Sequence, residues 1–291
     1  MKNAGLNQAK KARKDCFYTM REDVEKEIRF YEGQFVGQTV YCNCDDETSA
    51  FWRVFKDNFE ALGLKRLICT HWNENGRSYK AEFDGEEEFR TPLERDGDYR
   101  SEECVEILKE SDIIVSNPPF SLFLDYMNTL IRYKKKCLIL GPMTGMKSKV
   151  LFPLFMDNRM QYGPSITGGD RKFLVPDDYP LNAAGCGIDD AGRRFIRVKG
   201  VRWFTNLNHG VDRKPLALTE MYDPKRFPKF DNIDAINVPK TAEIPNNYRG
   251  VMGVPISFIR NDVELRTNSF HMRRSLGSPV DPGQRKAGTL K

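Results

Sequence analysis

Short apolar runs alternate with amphipathic segments through the first half of the chain, and this alternation constrains the fold more than any other feature. The apolar runs are typical of buried strands, and the segments between them repeat their apolar residues at helical spacing. The predicted strands are 38–44, 64–72, 112–116 and 135–141. The predicted helices are 20–32, 49–63, 101–111 and 121–133. This order predicts a doubly wound α/β sheet with right-handed crossovers, in which ligands bind at the carboxyl ends of the strands.

Local signals refine the ends of these elements. Thr48 or Ser49 is a candidate N-cap for the helix over 49–63, and Gly63 is its expected end. The polar, acid-rich stretch 73–100 is predicted to be a loop with one short strand around Tyr79–Phe83.

The second half of the chain has a different character. Glycine and proline recur from about residue 157 to 260, and no helical pattern follows Asn158. Short β-like runs such as 193–206 and 250–259 lie between these residues, and this half could finish the sheet with a β-hairpin and add a loop-rich recognition region. We therefore expect a cofactor-binding and catalytic domain over 1–160, the end of the sheet with target recognition over 161–265, and a disordered tail over 266–291.

Charge and cysteine content exclude several classes of protein. No apolar run is long enough to span a bilayer, and the N-terminus lacks a signal-peptide pattern. The seven cysteines show no CxxC pair, which favours reduced thiols in a cytoplasmic protein. The three histidines are too dispersed to indicate a metal site or a triad. Basic arms at both termini suit contacts with phosphates, although a solvated, disordered tail is the preferred interpretation of the C-terminal one.

The strand over 112–116 ends in Asn-Pro-Pro-Phe, an unusual way to leave a core strand. The Asn117 amide oxygen accepts hydrogen bonds and does not titrate, and the Pro118 carbonyl is a second acceptor. Pro118 and Pro119 hold these acceptors in a fixed geometry, and Phe120 offers a flat face for stacking. Two acceptors beside an aromatic face suit a planar substrate that carries an amino group. A simple turn is the competing interpretation.

Asn-Pro-Pro-Phe after such a strand resembles the catalytic motif of S-adenosylmethionine-dependent amino methyltransferases. The resemblance extends to the EcoRI-type adenine-specific (N6) DNA methyltransferase family. It covers about residues 10–265. It is carried by DCFYTMREDVEKEI (15–28), GDYRSEECVEILKESDIIVSNPPFSLF (97–123), RWFTNLNH (202–209), IDAINVP (233–239) and YRGVMGVPISF (248–258). The resemblance implies a Rossmann-like methyltransferase sheet and methyl transfer to N6 of a flipped-out adenine in a specific DNA sequence.

The resemblance also implies roles for individual residues. Asn117 and the Pro118 carbonyl would hold the adenine amino group in the turn that Pro119 completes, with Phe120 stacked on the base. The residues expected to bind S-adenosylmethionine are Phe17, Tyr18, Thr19, Asp45, Asp46, Asn73, Glu74 and Asp98. The chain departs from related enzymes after its first strand, where CNCDDETSAF replaces a glycine-rich turn. There Asp45 and Asp46 are expected at the methionine ammonium group, although a helix N-terminal charge cluster would look the same.

A basic stretch interleaved with aromatic residues is expected to face DNA. Its cations are Arg193, Arg194, Arg197, Lys199, Arg202, Arg213, Lys214, Lys225, Arg226 and Lys229. Trp203 and Phe204 are expected in the core, and His209 fits either a DNA contact or a structural loop.

The expected partner is double-stranded DNA, with no membrane and no metal, and the protein is expected to be a monomer. A cognate restriction endonuclease acting separately would fit a restriction-modification system, and an orphan or phage-encoded enzyme in the bacterial cytoplasm is equally open. Three alternatives remain: an RNA amino methyltransferase, a protein-glutamine methyltransferase, and a DNA-binding protein that has lost activity.

Overall fold

The computed structural model describes residues 17–73, 76–182, 184–211, 217–255, 258 and 270–272. The chain divides into two compact units, Met1–Val211 and Asp212–Lys291. The boundary predicted at residue 160 therefore lies inside the first unit, because strands on both sides of it belong to one sheet. No helix among the described residues is long and apolar enough to cross a membrane.

The first unit is built from strands and helices that follow the predicted alternation. Its strands are β1 (Tyr18–Thr19), β2 (Thr39–Cys42), β3 (Arg66–Thr70), β4 (Tyr79–Phe83), β5 (Glu88–Pro92), β6 (Ile113–Ser116), β7 (Lys136–Pro142), β8 (Gln161–Tyr162), β9 (Asp170–Leu174), β10 (Gly187–Ile188), β11 (Arg194–Lys199) and β12 (Val201–Thr205). Its α-helices are α1 (Arg21–Ile28), α2 (Ala50–Asp57), α3 (Phe59–Leu62), α4 (Glu102–Glu110), α5 (Phe123–Arg132) and α6 (Leu151–Met156). Short 3-10 helices lie at Arg29–Tyr31 and Met143–Lys147.

Eight strands form one mixed sheet in the order β5-β4-β3-β2-β6-β7-β12-β8. The central strands β3, β2, β6 and β7 are parallel, whereas β4, β5 and β12 run antiparallel to their neighbours. The chain steps outward from β2 to β3 and then returns to β6 on the other side of β2. The sheet therefore has a topological switch point between β2 and β6, where open α/β sheets bind their ligands.

The residues of the central strands explain why they lie in the middle of the sheet. All residues of β2 and β6 are buried, as expected for parallel strands covered on both faces. The predicted caps are confirmed: the Ser49 hydroxyl accepts a hydrogen bond from Trp52 N at 3.1 Å, and Gly63 ends α3 with a left-handed φ of 63°. The Ser49 cap fixes the start of α2 shortly after the end of β2.

A second, antiparallel sheet has the order β1-β9-β11-β10. It takes up only one part of the β-like run 193–206. The structure divides that run at Gly200, whose φ of 74° lets the chain turn sharply. As a result, β11 pairs with β9 in the small sheet, and β12 pairs with β7 in the main sheet.

The prediction for residues 73–100 was incomplete. The strand at Tyr79–Phe83 is confirmed, but a second strand, β5, pairs with it. Every residue of β5 is exposed, so the segment lacks the alternation that reveals a half-buried strand.

The second unit contains a three-stranded parallel sheet of β13 (Ala235–Asn237), β14 (Val251–Val254) and β15 (Phe270–Met272). The strand β14 lies in the predicted run 250–259. The strand β15 lies within 266–291, the range expected to form a disordered tail, and its backbone pairs with β14. The rest of the tail, residues 266–269 and 273–291, lies outside the described residues.

Phe123 fixes the start of α5, the helix that follows the Asn-Pro-Pro-Phe turn. Its ring packs so closely on Gly141 that a Cβ there would overlap it. We expect Gly141→Ala to lower the free energy of unfolding by about 1–3 kcal/mol, the usual cost of overpacking a core. Gly168→Ala is the matched control because its Cβ would meet nothing within 4 Å, so its change should stay within about 0.5 kcal/mol. Urea unfolding of both variants measures the difference, and equal stabilities would contradict the packing described.

Candidate active site

The Asn117 side chain is held at the switch point by two anchors. Its backbone N–H donates to Asp45 Oδ2 at 3.3 Å, and its Nδ2 donates to the Phe17 carbonyl oxygen at 2.6 Å. The first anchor comes from the turn after β2 and the second from the segment just before β1. Three distant parts of the sequence therefore meet at this amide.

The amide oxygen of Asn117 is buried and has no hydrogen-bond partner among the described residues. A buried acceptor without a partner costs free energy, so folded proteins seldom retain one without a use. Because the Phe17 carbonyl occupies the amino side of the amide, the oxygen side is the one left to accept. The turn thus presents one oriented acceptor, next to the buried Pro118.

Phe120 is fixed by edge-to-face contacts with two other rings. Its ring centroid lies 5.5 Å from that of Phe17 and 6.1 Å from that of Phe173, at interplanar angles of 89° and 88°. Phe17 and Phe173 also contact each other, at 5.8 Å. Such pairs each add about 0.5–1.5 kcal/mol beyond burial, so the partly exposed Phe120 ring is a rigid wall beside Asn117.

A cavity of about 350 Å³ lies beside these anchors. It is bounded by β1, the start of α1, the turn after β2 and the start of α2. Its lining residues are Tyr18, Thr19, Met20, Arg21, Glu22, Asp45, Thr48, Ser49, Ala50, Arg53, Leu174 and Arg193. The structure therefore brings Tyr18, Thr19 and Asp45 together, as the sequence predicted.

Asp45 joins this cavity to the Asn-Pro-Pro-Phe turn. Its Oδ2 accepts from Ser116 Oγ at 2.7 Å as well as from the Asn117 N–H. Burial raises the pKa of the Asp45 carboxyl to about 7, although the hydrogen bonds from Ser116 and Asn117 lower it and the nearby Asp46 raises it. Asp45 is therefore a desolvated carboxyl at a cavity wall, where a cationic ligand would favour its charged form.

Asp46, in contrast to Asp45, makes its hydrogen bonds within the turn that follows β2. Its Oδ1 accepts from the backbone N–H and the hydroxyl of Thr48, at 2.8 and 2.5 Å, and it does not line the cavity. These bonds shape the turn that leads to Ser49 and α2. No residue of 42–51 has a positive φ, which explains how the turn forms without glycine.

Thr19 offers a second polar atom without a partner. Its side chain is buried at the cavity wall, and its hydroxyl oxygen makes no hydrogen bond among the described residues. Tyr18, in contrast, is 50% exposed at the same wall. Thr19 and Asp45 together give the cavity one hydroxyl and one carboxyl for a polar ligand.

Asn73 and Asp98, two other predicted cofactor residues, have hydrogen-bond partners of their own. Asn73 donates from its backbone to the Asp96 carbonyl at 2.8 Å and from its side chain to the Arg77 carbonyl at 3.0 Å. The Asp98 carboxylate accepts two bonds from the Arg100 guanidinium, at 2.8 and 2.6 Å. Neither residue lines the cavity. Glu74 lies outside the described residues.

Sequence reasoning missed Ser116 and the arginines at the cavity. Ser116 directly precedes Asn117, but only the folded structure places its hydroxyl on Asp45. Arg53 follows the N-cap Ser49 by one helical turn, so its position at the cavity could have been inferred from helical spacing. Arg21 and Arg193 approach the cavity from α1 and from the turn before β11.

The basic stretch does not act as a single surface. Arg202 is buried and donates to the Val201 and Thr167 carbonyl oxygens, so it does not face DNA. Trp203 and Phe204 are fully buried, which confirms their predicted place in the core. The His209 Nδ1 accepts from the Val211 N–H at 3.1 Å, a structural loop contact. Arg213 and Lys214 lie outside the described residues.

The described cysteines Cys42, Cys44, Cys69, Cys104, Cys137 and Cys186 are all free thiols. No cluster of His, Cys, Asp and Glu suited to a metal ion occurs within the described ranges.

Comparisons with known proteins identify the family of the chain. The model of the family described as adenine-specific methyltransferase EcoRI matches residues 5–92 and 82–263. The chain is 39% identical over 278 residues to the type II methyltransferase M.EcoRI of Escherichia coli, covering 88% of this chain and 85% of the relative. It is 38% identical over 262 residues to M.MpnI of Mycoplasma pneumoniae, covering 87% and 81%.

A third relative is the type II methyltransferase M.MgeORF184P of Mycoplasma genitalium, 36% identical over 260 residues, with 87% of this chain and 81% of the relative covered. No solved structure gives a significant match. The family model spans nearly the whole chain, and the relatives match over most of their length. The chain therefore belongs to the EcoRI family of adenine-specific methyltransferases.

Proposed function

We propose that this adenine-specific methyltransferase transfers a methyl group from S-adenosylmethionine to the N6 amino group of an adenine flipped out of duplex DNA. The observation that carries the proposal is the buried, unpartnered Asn117 oxygen beside the rigid Phe120 ring. An exocyclic amino group on a planar base would satisfy that acceptor and cover that ring. Base-modifying enzymes must extract their target, because a stacked base is out of reach.

The cavity has suitable groups for the methionine part of the cofactor. The Asp45 carboxylate suits an ammonium group, and the unpartnered Thr19 hydroxyl suits a polar neighbour. Tyr18 lines the same wall, and the Phe17 carbonyl is already bound to Asn117. When bound, S-adenosylmethionine supplies a methyl group activated by its positive sulfonium. Asn73, Glu74 and Asp98 remain candidates for its nucleoside part, on the loops after β3 and before α4.

In the proposed mechanism the protein positions and polarises the amino group. The Asn117 oxygen and the Pro118 carbonyl accept its two hydrogens, which directs the nitrogen lone pair away from them. As N6 gains the methyl group, the methyl–sulfur bond of the donor would break and the donor would leave as a neutral thioether. N6 becomes positively charged and then releases one proton to water, and both acceptors stabilise that charge. The two prolines limit reorganisation of the turn, so little free energy is spent on ordering it at the reaction step.

The proposal also covers target recognition, oligomeric state and biological setting. Segment 161–265 supplies target recognition, and the Rossmann-like sheet provides the cofactor edge. The enzyme acts as a monomer on DNA without a metal ion, in a restriction-modification system with a separate endonuclease or as an orphan or phage enzyme in the bacterial cytoplasm. The type II methyltransferases among its relatives favour the restriction-modification setting.

Transfer of tritiated methyl groups tests the reaction. The protein is incubated with labelled S-adenosylmethionine and duplex DNA, and the DNA is hydrolysed to nucleosides. The proposal predicts label in N6-methyladenine. Label in cytosine, or no label in the DNA, would overturn it.

The hydroxyl of Ser116 gives a pH prediction. It stabilises the charged form of Asp45, so Ser116→Ala should raise the pKa of Asp45 above its value of about 7. Cofactor affinity should then fall at pH 7 and recover as the pH rises, which shifts the profile to higher pH. Dissociation constants measured by calorimetry across pH check this.

Ser111→Ala is the matched control for that measurement. Ser111, like Ser116, is a buried serine. It lies just before β6, and its hydroxyl donates to the Ile107 carbonyl at 2.7 Å. Its profile should coincide with that of the wild type. If Ser116→Ala also leaves the profile in place, Asp45 does not bind the cofactor through its charge.

A further inference from the structure

The small sheet has one buried face and one outward face. Phe173, Ile196 and Val198 are buried on the inner face. Side chains alternate along a strand, so Phe195, Arg197 and Lys199 of β11 point the other way. The register pairs Arg197 with Lys172 and Phe195 with Leu174, which places these residues on the same outward face.

Phe195 organises the cations of this face. Lys172 Nζ lies 4.7 Å from the centre of its ring, and Arg197 Cζ lies 6.0 Å from it. The ring lies across Gly187, its cross-strand partner, where a Cβ would contact the ring at 3.0 Å. The two cations are therefore held against a flat aromatic surface, an arrangement that limits their conformational freedom.

The acidic residues here orient the cations but leave a positive excess. Asp189 Oδ2 accepts from both Lys172 and Arg193 at 2.9 Å, and Asp170 accepts from Arg197 at 3.1 Å. The four cations of the face and its turn are Lys172, Arg193, Arg197 and Lys199, against the carboxylates Asp170, Asp189 and Asp190. The side chains of Arg193 and Arg197 remain 52% and 49% exposed, so their guanidinium groups can still reach an anion.

The position of the sheet connects this face to the candidate active site. Phe173 on the inner face contacts Phe120, while Leu174 and Arg193 line the cavity together with Tyr18 of the edge strand β1. From β1 to β11 is two strand spacings, about 10 Å. A DNA strand carries a phosphate about every 3.4 Å along its axis, so phosphates next to a base at Asn117 fall within reach of this face.

We infer that the outward face of β9 and β11 holds the phosphates of the DNA strand beside the flipped adenine, with Lys172 and Arg197 as the contacts. This inference rests on the proposed function. It assigns sequence-independent binding to this face, since contacts with phosphates position the protein without reading bases.

The double variant Lys172→Gln/Arg197→Gln tests the inference. Binding of a fluorescein-labelled duplex of mixed sequence is measured by anisotropy between about 50 and about 200 mM salt. Each lost phosphate contact reduces the slope of log K against log salt by about 0.9, so we expect a change of about 1.8 and binding on the order of tenfold weaker. The charge-preserving variant Lys172→Arg/Arg197→Lys should restore most of the slope.

Lys56→Gln/Arg66→Gln is the matched control. Lys56 pairs with Glu88 and lies 4.8 Å from the Phe83 ring centre, and Arg66 pairs with Glu82 at 3.1 Å, but both lie near the β3–β4–β5 edge of the main sheet. For this control variant, the slope of log K against log salt should equal that of the wild type. If the wild type methylates DNA and Lys172→Gln/Arg197→Gln binds DNA as Lys56→Gln/Arg66→Gln does, the inference fails while the proposed function stands. If the wild type neither binds nor methylates DNA, the proposed function fails and the inference with it.

Discussion

Replacing Asn117 by alanine should lower the single-turnover rate of methyl transfer by about 10²–10³-fold, as expected when one preorganised polar group is removed from a reaction site. The variant loses the only oriented side-chain acceptor that the turn offers among the described residues. It also loses the bond to the Phe17 carbonyl, at a cost of about 1 kcal/mol in stability. Cofactor affinity should change little, because the Asp45 and Thr19 side chains remain.

Asn58→Ala is a control for the structural part of this effect. Asn58 also donates from its amide to a backbone carbonyl, that of Val54 at 2.8 Å, but it ends α2 and does not line the cavity. It should lose similar stability and keep the wild-type rate. A rate for Asn117→Ala within a few-fold of the control would show that the amide does not take part in the reaction.

Asp45→Asn should have the second largest effect, on the cofactor. It removes the buried charge while keeping an oxygen that can accept from Ser116. Charge-assisted hydrogen bonds contribute about 1.5–3 kcal/mol, so the dissociation constant of S-adenosylmethionine should rise about 10–100-fold. Asp46→Asn should have a smaller effect, because an amide oxygen can still accept from Thr48. Equal losses in the two variants would contradict the separate roles of these acids.

Asp45→Asn should also change the stability of the protein, and this change depends on pH. Burial raises the pKa of Asp45 from about 4 in the unfolded chain to about 7 in the folded one. The folded state therefore binds more protons between these values, and the contribution of Asp45 to stability falls as the pH rises from about 4 to about 7. Asp45→Asn removes that dependence. Relative to the wild type, the variant should be more stable at pH 8 than at pH 4, as measured by urea unfolding.

The sequence predicted those parts of the site that depend on local pattern. The strand that ends in Asn-Pro-Pro-Phe, the Ser49 cap and the Gly63 stop are each visible in a few residues. The meeting of Phe17–Thr19, Asp45 and Asn117 could be expected from the motif order and from the rule that ligands bind at strand carboxyl ends.

The features that the sequence did not predict depend on tertiary contacts. No pattern indicates that the Phe17 backbone carbonyl binds the Asn117 amide, because every residue has a carbonyl. The run 193–206 looks continuous, and only competition between two sheets divides it at Gly200. Arg202 looks basic and exposed in sequence, yet two carbonyl oxygens bind its guanidinium in the interior. The different roles of Asp45 and Asp46 likewise depend on tertiary structure, because Ser116 donates to the Asp45 carboxylate and Thr48 donates to the Asp46 carboxylate.

Sequencing of modified bases in DNA from cells that express the protein measures directly whether it methylates adenine through Asn117. We expect N6-methyladenine at one recurring sequence in cells with the wild-type protein, and none above background in cells with Asn117→Ala at equal protein levels. Unmodified adenine in the wild-type cells, or equal modification in both, would contradict it.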